Sequence, residues 1–357
     1  MSQVEFKGYA ITDANLWTQF NLIEYQPKTF DDNDVELRIA YCGVCGSDVH
    51  TITQGWGQIP TPLVVGHEIT GQVTRVGANV KEFKVGDRVG VGAQIGSCYK
   101  CRACKEDQEN YCPSMIDTYN AHYPDGVFAQ GGYSTAIRAN QQFVFAIPEN
   151  LPLRYAASML CAGLTVFSPL KRHGCGPGKK VGIVGIGGLG HYALLFAKAM
   201  GAEVYAFTHS NRKMDDIKKM GADHIIVTGN NPDFAKPLQM QLDLIVCALD
   251  VGKGMPLKDY LSMLWVHGKF VMVGLPDEPL PEMKAFDFLT GAFLGGSHIG
   301  NKKEALEMLQ LAADKGIKPW IEEMPMSKAG EAVQRVKNGD VRYRFVLKQD
   351  ISPIDID

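Results

Sequence analysis

Val181-Gly-Ile-Val-Gly-Ile-Gly-Gly-Leu-Gly190 is the stretch whose reading decides the fold. Its first four residues are apolar or small and predict a buried parallel strand, residues 189–200 predict a helix, and residues 204–207 a second strand. Between strand and helix, Gly185, Gly187 and Gly190 stand at G-x-G-x-x-G spacing, with Gly188 and Leu189 inside the turn. The first glycine permits a tight turn, the second lets backbone approach a pyrophosphate, and the third lets helix and strand pack closely. The free N–H groups of the helix start then face the phosphates. A glycine-rich turn that binds nothing is the competing reading of the same letters.

Which dinucleotide would bind is read from the end of the next strand, where an acid commonly bonds the ribose 2'-hydroxyl. Thr208 stands there. The residues that follow supply a hydroxyl at Ser210 and cations at Arg212 and Lys213, which suit a 2'-phosphate. NADP(H) is therefore expected. The alternative is an ordinary polar loop leading to a helix with Asp215 and Asp216.

Outward from this motif, apolar runs at residues 225–227, 244–247 and 270–273 alternate with helical or turn-forming segments, which predicts an α/β, doubly wound sheet. Upstream, residues 35–140 carry short β-rich runs, among them Val64-Val65, 72–76 and 88–91, punctuated by glycine and proline. That predicts a β-rich, barrel-like lobe. The mixed pattern after Gly296 is expected to rejoin it, giving one domain from 1–153 and 296–357 with 154–295 inserted. A chain of 357 residues exceeds the size at which one core keeps growing, although a single large barrel is also possible.

Composition narrows the function class. Apolar residues at 45% and charged residues at 21% describe a globular protein, and a net charge of -3 gives no basic field for nucleic acid or anionic lipid. Residues 181–200 are interrupted by five glycines, His191 and Lys198, so they read as strand, turn and helix instead of a membrane span. Residues 1–7 show no apolar export signal. Nine cysteines, four of them between Cys98 and Cys112, suit metal ligation in a reducing compartment, and the cytoplasm is the expected location.

Cys98-x2-Cys101-x2-Cys104-x7-Cys112 places four thiols on a short segment, which suits tetrahedral all-thiolate ligation of a structural zinc. An iron–sulfur cluster or a redox switch would use the same spacing. A closed four-cysteine site has no open coordination position, so chemistry must lie elsewhere. Two further motifs qualify, Cys42-Gly-Val-Cys45-Gly-Ser47-Asp48-Val-His50 and Gly66-His67-Glu68. Taken singly, the first could be a redox pair and the second an exposed turn.

In this order, the Cys45, Ser47-Asp48 and His50 motif, Gly66-His67-Glu68, the four-cysteine lobe and the glycine motif resemble the zinc-containing medium-chain alcohol dehydrogenases. Gly-Val-Gly-Ala-Gln94, Cys161-Ala-Gly-Leu-Thr165-Val-Phe-Ser-Pro-Leu170 and Gly174-Cys-Gly-Pro-Gly178 resemble the cinnamyl alcohol dehydrogenase branch, notably NADPH-dependent yeast members. The resemblance implies a GroES-like β-rich catalytic domain, a Rossmann cofactor domain and two zinc ions per chain. It implies Cys45, His67 and Cys161 as catalytic zinc ligands, with Glu68 approaching the metal or orienting its site. Ser47 and His50 would relay the proton, and Asp48 would orient their loop. Thr165, Ile299 and Arg344 would meet the cofactor, Arg344 at its pyrophosphate. Trp56, Tyr119 and His298 are candidate pocket walls, and Tyr119 and His122 depart from the branch's pattern, which bears on substrate preference. Cys42, Cys175 and Cys247 are expected as small apolar core residues.

The expected activity is reversible hydride transfer between NADP(H) and aromatic or medium-chain aliphatic alcohols and aldehydes, and the resemblance implies a homodimer whose sheet is lengthened across the interface by residues 286–299. A polyol dehydrogenase and a non-catalytic NADPH-binding zinc protein are the alternatives.

Overall fold

The structure, a computed structural model, describes residues 4–354 and 356. Residues 1–3, part of the segment read for an export signal, lie outside the described residues. The chain divides into two compact units, Met1–Ala162 with Asn301–Asp357, and Gly163–Gly300.

The second unit contains a six-stranded, wholly parallel sheet in the order His224–Val227, Glu203–Thr208, Lys180–Val184, Leu242–Cys247, Leu264–Met272 and Phe293–Gly296. The chain starts in the middle, winds outward, returns and winds the other way, which is the doubly wound order. Val181 lies opposite Val204 on one side and Leu244 on the other, so the strand of the opening motif is central. Its Val181 and Ile183 are fully buried, as a strand covered on both faces requires. Helix Gly190–Ala199 follows. An irregularity follows Leu264, whose partner is Leu242, because Lys269 is the next residue in register, opposite Leu244. The intervening residues leave Trp265 and Val266 exposed.

The first unit is built on a seven-stranded sheet running Ile321–Pro325, Arg344–Lys348, Asp34–Val44, Ile69–Val76, Arg88–Val91 and Val144–Ala146, with Ala136–Asn140 also paired to Asp34–Val44. The eleven-residue strand Asp34–Val44 is its spine. It pairs antiparallel with Arg344–Lys348, so the C-terminal segment completes this sheet. Val64-Val65 departs from expectation: both residues are fully buried yet lie outside any strand. Their carbonyls instead accept from Gly131 and Tyr133 in an irregular crossing, so burial was legible and strand type was not.

The helical run Leu153–Arg172 is long and apolar enough to cross a membrane, but 83% of its apolar window is buried within the protein. It contains a π-helical turn at Met159–Gly163 that carries Cys161. Such turns interrupt the regular ladder and re-aim a side chain, often at functional sites.

Candidate active site

Three separate pieces of the first unit converge on one donor set. Cys45 ends the spine strand's extension and caps helix Gly46–Ile52, His67 and Glu68 immediately precede strand Ile69–Val76, and Cys161 sits on the π-turn. One ligand atom from each of Cys45, His67, Glu68 and Cys161 lies within 4.8 Å of the others, and all four residues are buried. Cys45 and Cys161 sulfurs are 4.0 Å apart, and His67 Nε2 is 3.2 Å from Cys161 Sγ. A disulfide needs about 2.05 Å, whereas sulfurs around a tetrahedral zinc with bonds of about 2.3 Å stand about 3.8 Å apart. The spacing fits shared ligation of a cation.

Asp48 organises this loop. Fully buried, it accepts from the Cys45 N–H at 2.9 Å, the Gly66 N–H at 3.2 Å and the Tyr133 hydroxyl at 3.2 Å, and lies 3.5 Å from His67 Nδ1. It therefore sets which His67 nitrogen faces the sulfurs. Burial opposes protonation of His67, but Asp48 and Cys45 raise it to about 9. Contact between Cys161 and Cys45 holds the Cys45 thiol well below its ordinary value and, with burial, pushes the Cys161 thiol well above it.

Glu68 is fully buried, and burial raises its carboxyl to about 7 against the pull of Arg344. Its Oε1 accepts from Arg344 Nη2, while Oε2 has no hydrogen-bond partner. A carboxylate oxygen within 4.8 Å of two thiols and an imidazole completes a donor set for zinc. Arg344, expected at the pyrophosphate, is instead 4% exposed and turned to Glu68. Strand pairing puts it there, with Phe345 opposite Val44 and Arg344 opposite Ile321, and nothing local in Tyr343-Arg344-Phe345 announces it.

Ser47 and His50 project from helix Gly46–Ile52, with Ser47 Oγ 3.6 Å from Cys45 Sγ. The His50 ring stacks on Trp56 at 4.8 Å and 3°, and Trp56 is 47% exposed. Tyr119 is buried and stacks on His67 at 5.5 Å. His122 packs against Phe128 in the same loop.

The four-cysteine lobe forms a second cluster with ligand sulfurs within 4.8 Å of one another. Cys101–Cys104, Cys101–Cys112 and Cys98–Cys104 are 3.5, 3.9 and 4.0 Å apart, again too long for disulfides and suited to one tetrahedral ion. Backbone N–H groups of Cys101 and Ser114 donate to the sulfurs of Cys98 and Cys112, and such bonds from Lys100 and Cys101 lower the Cys98 thiol to about 6. Cys42 and Cys247 are fully buried, whereas Cys175 is only partly buried.

In the second unit, Gly185 has φ +86° and a Cβ on Gly190 would strike the Gly185 carbonyl, so neither position accepts a side chain. A Cβ on Gly187 would meet nothing within 4 Å, which leaves that face open to a ligand. Helix Gly190–Ala199 has no side-chain cap at Leu189. Such an uncapped start fits a pyrophosphate. Thr208 is buried at its strand end and donates to the Ser210 carbonyl at 3.2 Å. Arg212 is exposed, and Lys213 reaches back to the Ile186 carbonyl at 2.8 Å. Thr165 is partly buried on helix Leu164–Arg172, His298 is partly buried, and Ile299 is buried with φ +47°.

Residues 31–149 match the alcohol dehydrogenase GroES-like domain, and residues 188–314 match the zinc-binding dehydrogenase domain. NADP-dependent alcohol dehydrogenase 6 of Saccharomyces cerevisiae is 44% identical over 96% of both chains. A mannitol dehydrogenase of Petroselinum crispum is 43% identical over 91% of this chain and 96% of its own. The solved cinnamyl alcohol dehydrogenase of Sorghum bicolor superposes with a TM-score of 0.91 at 36% identity, covering 98% of this chain and 100% of its own. Likeness of this depth along nearly the whole length places the chain in the zinc-containing medium-chain alcohol dehydrogenase family, in its cinnamyl alcohol dehydrogenase-like branch.

Proposed function

We propose that this chain is a zinc-dependent, NADP(H)-using alcohol dehydrogenase that interconverts aldehydes and alcohols of the aromatic and medium-chain aliphatic classes. The observation that carries the reading is the buried donor set of Cys45, His67, Glu68 and Cys161, in which exchange of Glu68 for substrate would open one coordination position. Zinc supplies Lewis acidity toward a carbonyl oxygen and the dinucleotide supplies hydride.

The chain's own residues do the rest. Cys45, His67 and Cys161 hold the cation, and Asp48 keeps His67 and the Cys45 turn in register. Ser47 exchanges the proton at the substrate oxygen, and His50, stacked on Trp56, passes it toward solvent. Tyr119, lying over His67, walls the approach. The glycine turn seats the pyrophosphate, with Thr165 and Ile299 toward the nicotinamide. Thr208, Ser210, Arg212 and Lys213 receive the 2'-phosphate, a reading supported by the absence of an acid at Thr208 and by the NADP dependence named for the yeast relative.

The test is zinc content together with NADPH oxidation on a panel of aldehydes and polyols, with NADH alongside. Two zinc ions per chain and faster aldehyde reduction with NADPH are expected. Two zinc ions without turnover on any carbonyl would leave a binding protein. The parsley relative's name favours one second reading, a polyol dehydrogenase, which polyol oxidation outrunning every aldehyde would establish. The working form is a cytoplasmic homodimer, supported by free cysteines, by Phe286 and Leu289, 79% and 77% exposed in the turn before the edge strand Phe293–Gly296, and by Phe293, 56% exposed on that strand. Sedimentation as a monomer at micromolar concentration would remove the dimer.

A further inference from the structure

One buried imidazole has no part in the chemistry above. His191 is the second residue of helix Gly190–Ala199, directly after the glycine motif, and is fully buried. Its Nδ1 lies 2.8 Å from the Gly188 carbonyl oxygen. A carbonyl only accepts, so Nδ1 carries the proton and donates, which fixes the tautomer. The ring packs against fully buried Tyr192 with centroids 4.2 Å apart, so it has little room to turn.

This bond has a geometric consequence for the next residue. Among the described residues the cis peptides are Thr61-Pro62 and Arg342-Tyr343, so the Gly188-Leu189 peptide is trans. In a trans peptide the C=O and N–H point in opposite directions across one rigid plane. Holding the Gly188 oxygen inward on a buried ring therefore aims the Leu189 N–H outward, away from the core. Leu189 stands at the start of the helix with no side chain capping it. Two residues earlier, the Ile186 carbonyl is held in the same way, by Lys213 Nζ at 2.8 Å. The turn thus has two of its carbonyls taken by side-chain donors, and its open face lies at Gly187.

The geometry points to His191 as a positioning residue that orients the Gly188-Leu189 peptide so that its N–H meets the dinucleotide pyrophosphate. The inference rests on the proposed dinucleotide site and adds a residue that the glycine spacing does not contain. A histidine is suited to the task because its Nδ1 reaches back one turn while the rest of the ring fills the space beside Tyr192. Phenylalanine would fill that space and donate nothing. Asparagine would place an N–H at the same bond distance from Cβ.

The test is equilibrium binding, followed by fluorescence or calorimetry, of NADPH, 2',5'-ADP and 2'-AMP to wild type, His191→Phe and His191→Asn, each checked for zinc content and thermal midpoint. His191→Phe should weaken NADPH and 2',5'-ADP roughly tenfold, the scale of one hydrogen bond to a charged group. 2'-AMP, which has no 5'-phosphate, should bind within about twofold of wild type, and His191→Asn should restore NADPH to within about threefold. Parallel loss of 2'-AMP, or equal losses in Phe and Asn variants, would overturn the assignment. NADH is titrated alongside, since the pyrophosphate is common to both dinucleotides. Weakening of both by His191→Phe supports the inference even where wild type binds the two alike, a result that ends only the 2'-phosphate reading. Should the Phe variant not fold, the imidazole 15N shifts of wild type decide: an Nε2-protonated ring overturns the proposal and an Nδ1-protonated ring supports it.

Discussion

Glu68 and Arg344 lie 276 positions apart in sequence, yet they form one buried ion pair, and Glu68 is at the same time a member of the Cys45–His67–Cys161 donor set. The guanidinium holds Oε1, Oε2 has no hydrogen-bond partner, and one of the two oxygens lies within 4.8 Å of the sulfurs and the imidazole. Because one carboxylate both pairs with a cation of the chain and belongs to the donor set, the pair can affect both stability and metal retention.

Arg344→Met should therefore cost more than a surface ion pair does. Removing one partner of a buried pair leaves an uncompensated charge, worth about 3–5 kcal/mol. Glu68→Gln combined with Arg344→Met should lose less than the two single changes summed. Urea denaturation of the zinc-loaded proteins checks this, and strictly additive losses would break the coupling.

Cys104→Ser should lower zinc from two ions per chain to one and reduce thermal stability while leaving the Cys45–Cys161 spacing intact. At about 2.1 cal/mol/K of unfolding entropy per residue, each kcal/mol shifts the midpoint of a chain this long by roughly 1–2 °C, so a fall of a few degrees is expected. Elemental analysis with calorimetry reads both. A variant retaining two ions at the wild-type midpoint would show that these four sulfurs do not share a metal.

Thr208→Asp places a carboxylate at a buried strand end beside Ser210. It should raise the KM for NADPH at least tenfold, an effect of about 1.4 kcal/mol or more, and change that for NADH far less. Steady-state kinetics with both cofactors decide the matter. Equal effects would mean that this strand end does not read the 2'-phosphate.

Glu203→Gln addresses pH. The Tyr205 hydroxyl and His224 donate to the Glu203 carboxylate at 2.7 and 2.8 Å and hold it below its ordinary 4.5. A folded-state value below the unfolded one contributes stability above about pH 4.5, and this is lost as pH falls through the folded value. The pair is solvent-exposed, so the gain is below about 1 kcal/mol. Wild type should exceed the variant in denaturation midpoint at pH 7 and converge with it near pH 3; a constant gap would contradict the assignment.

What could be read in advance follows from how far each signal reaches along the chain. Strand, glycine turn and helix at residues 180–199 are local, and their period and spacing need no distant partner. The same holds for the four cysteines at 98–112, whose sulfurs meet because the segment is short. His67 and Cys161 were named through resemblance, since spacing alone says nothing about residues 94 positions apart. His191 carries a local signal as well: a polar ring at the start of an apolar helix, one turn after a glycine, invites a bond back to the turn.

The sequence by itself determined the doubly wound sheet, its dinucleotide turn and the four-thiol lobe, because each is written within a few dozen consecutive residues. Only the tertiary structure decided that Arg344 serves Glu68, that a π-turn carries Cys161, and that Val64-Val65 is buried without being a strand. These depend on which segments cross in space, and a chain's own period and composition do not encode the address of a partner on another strand.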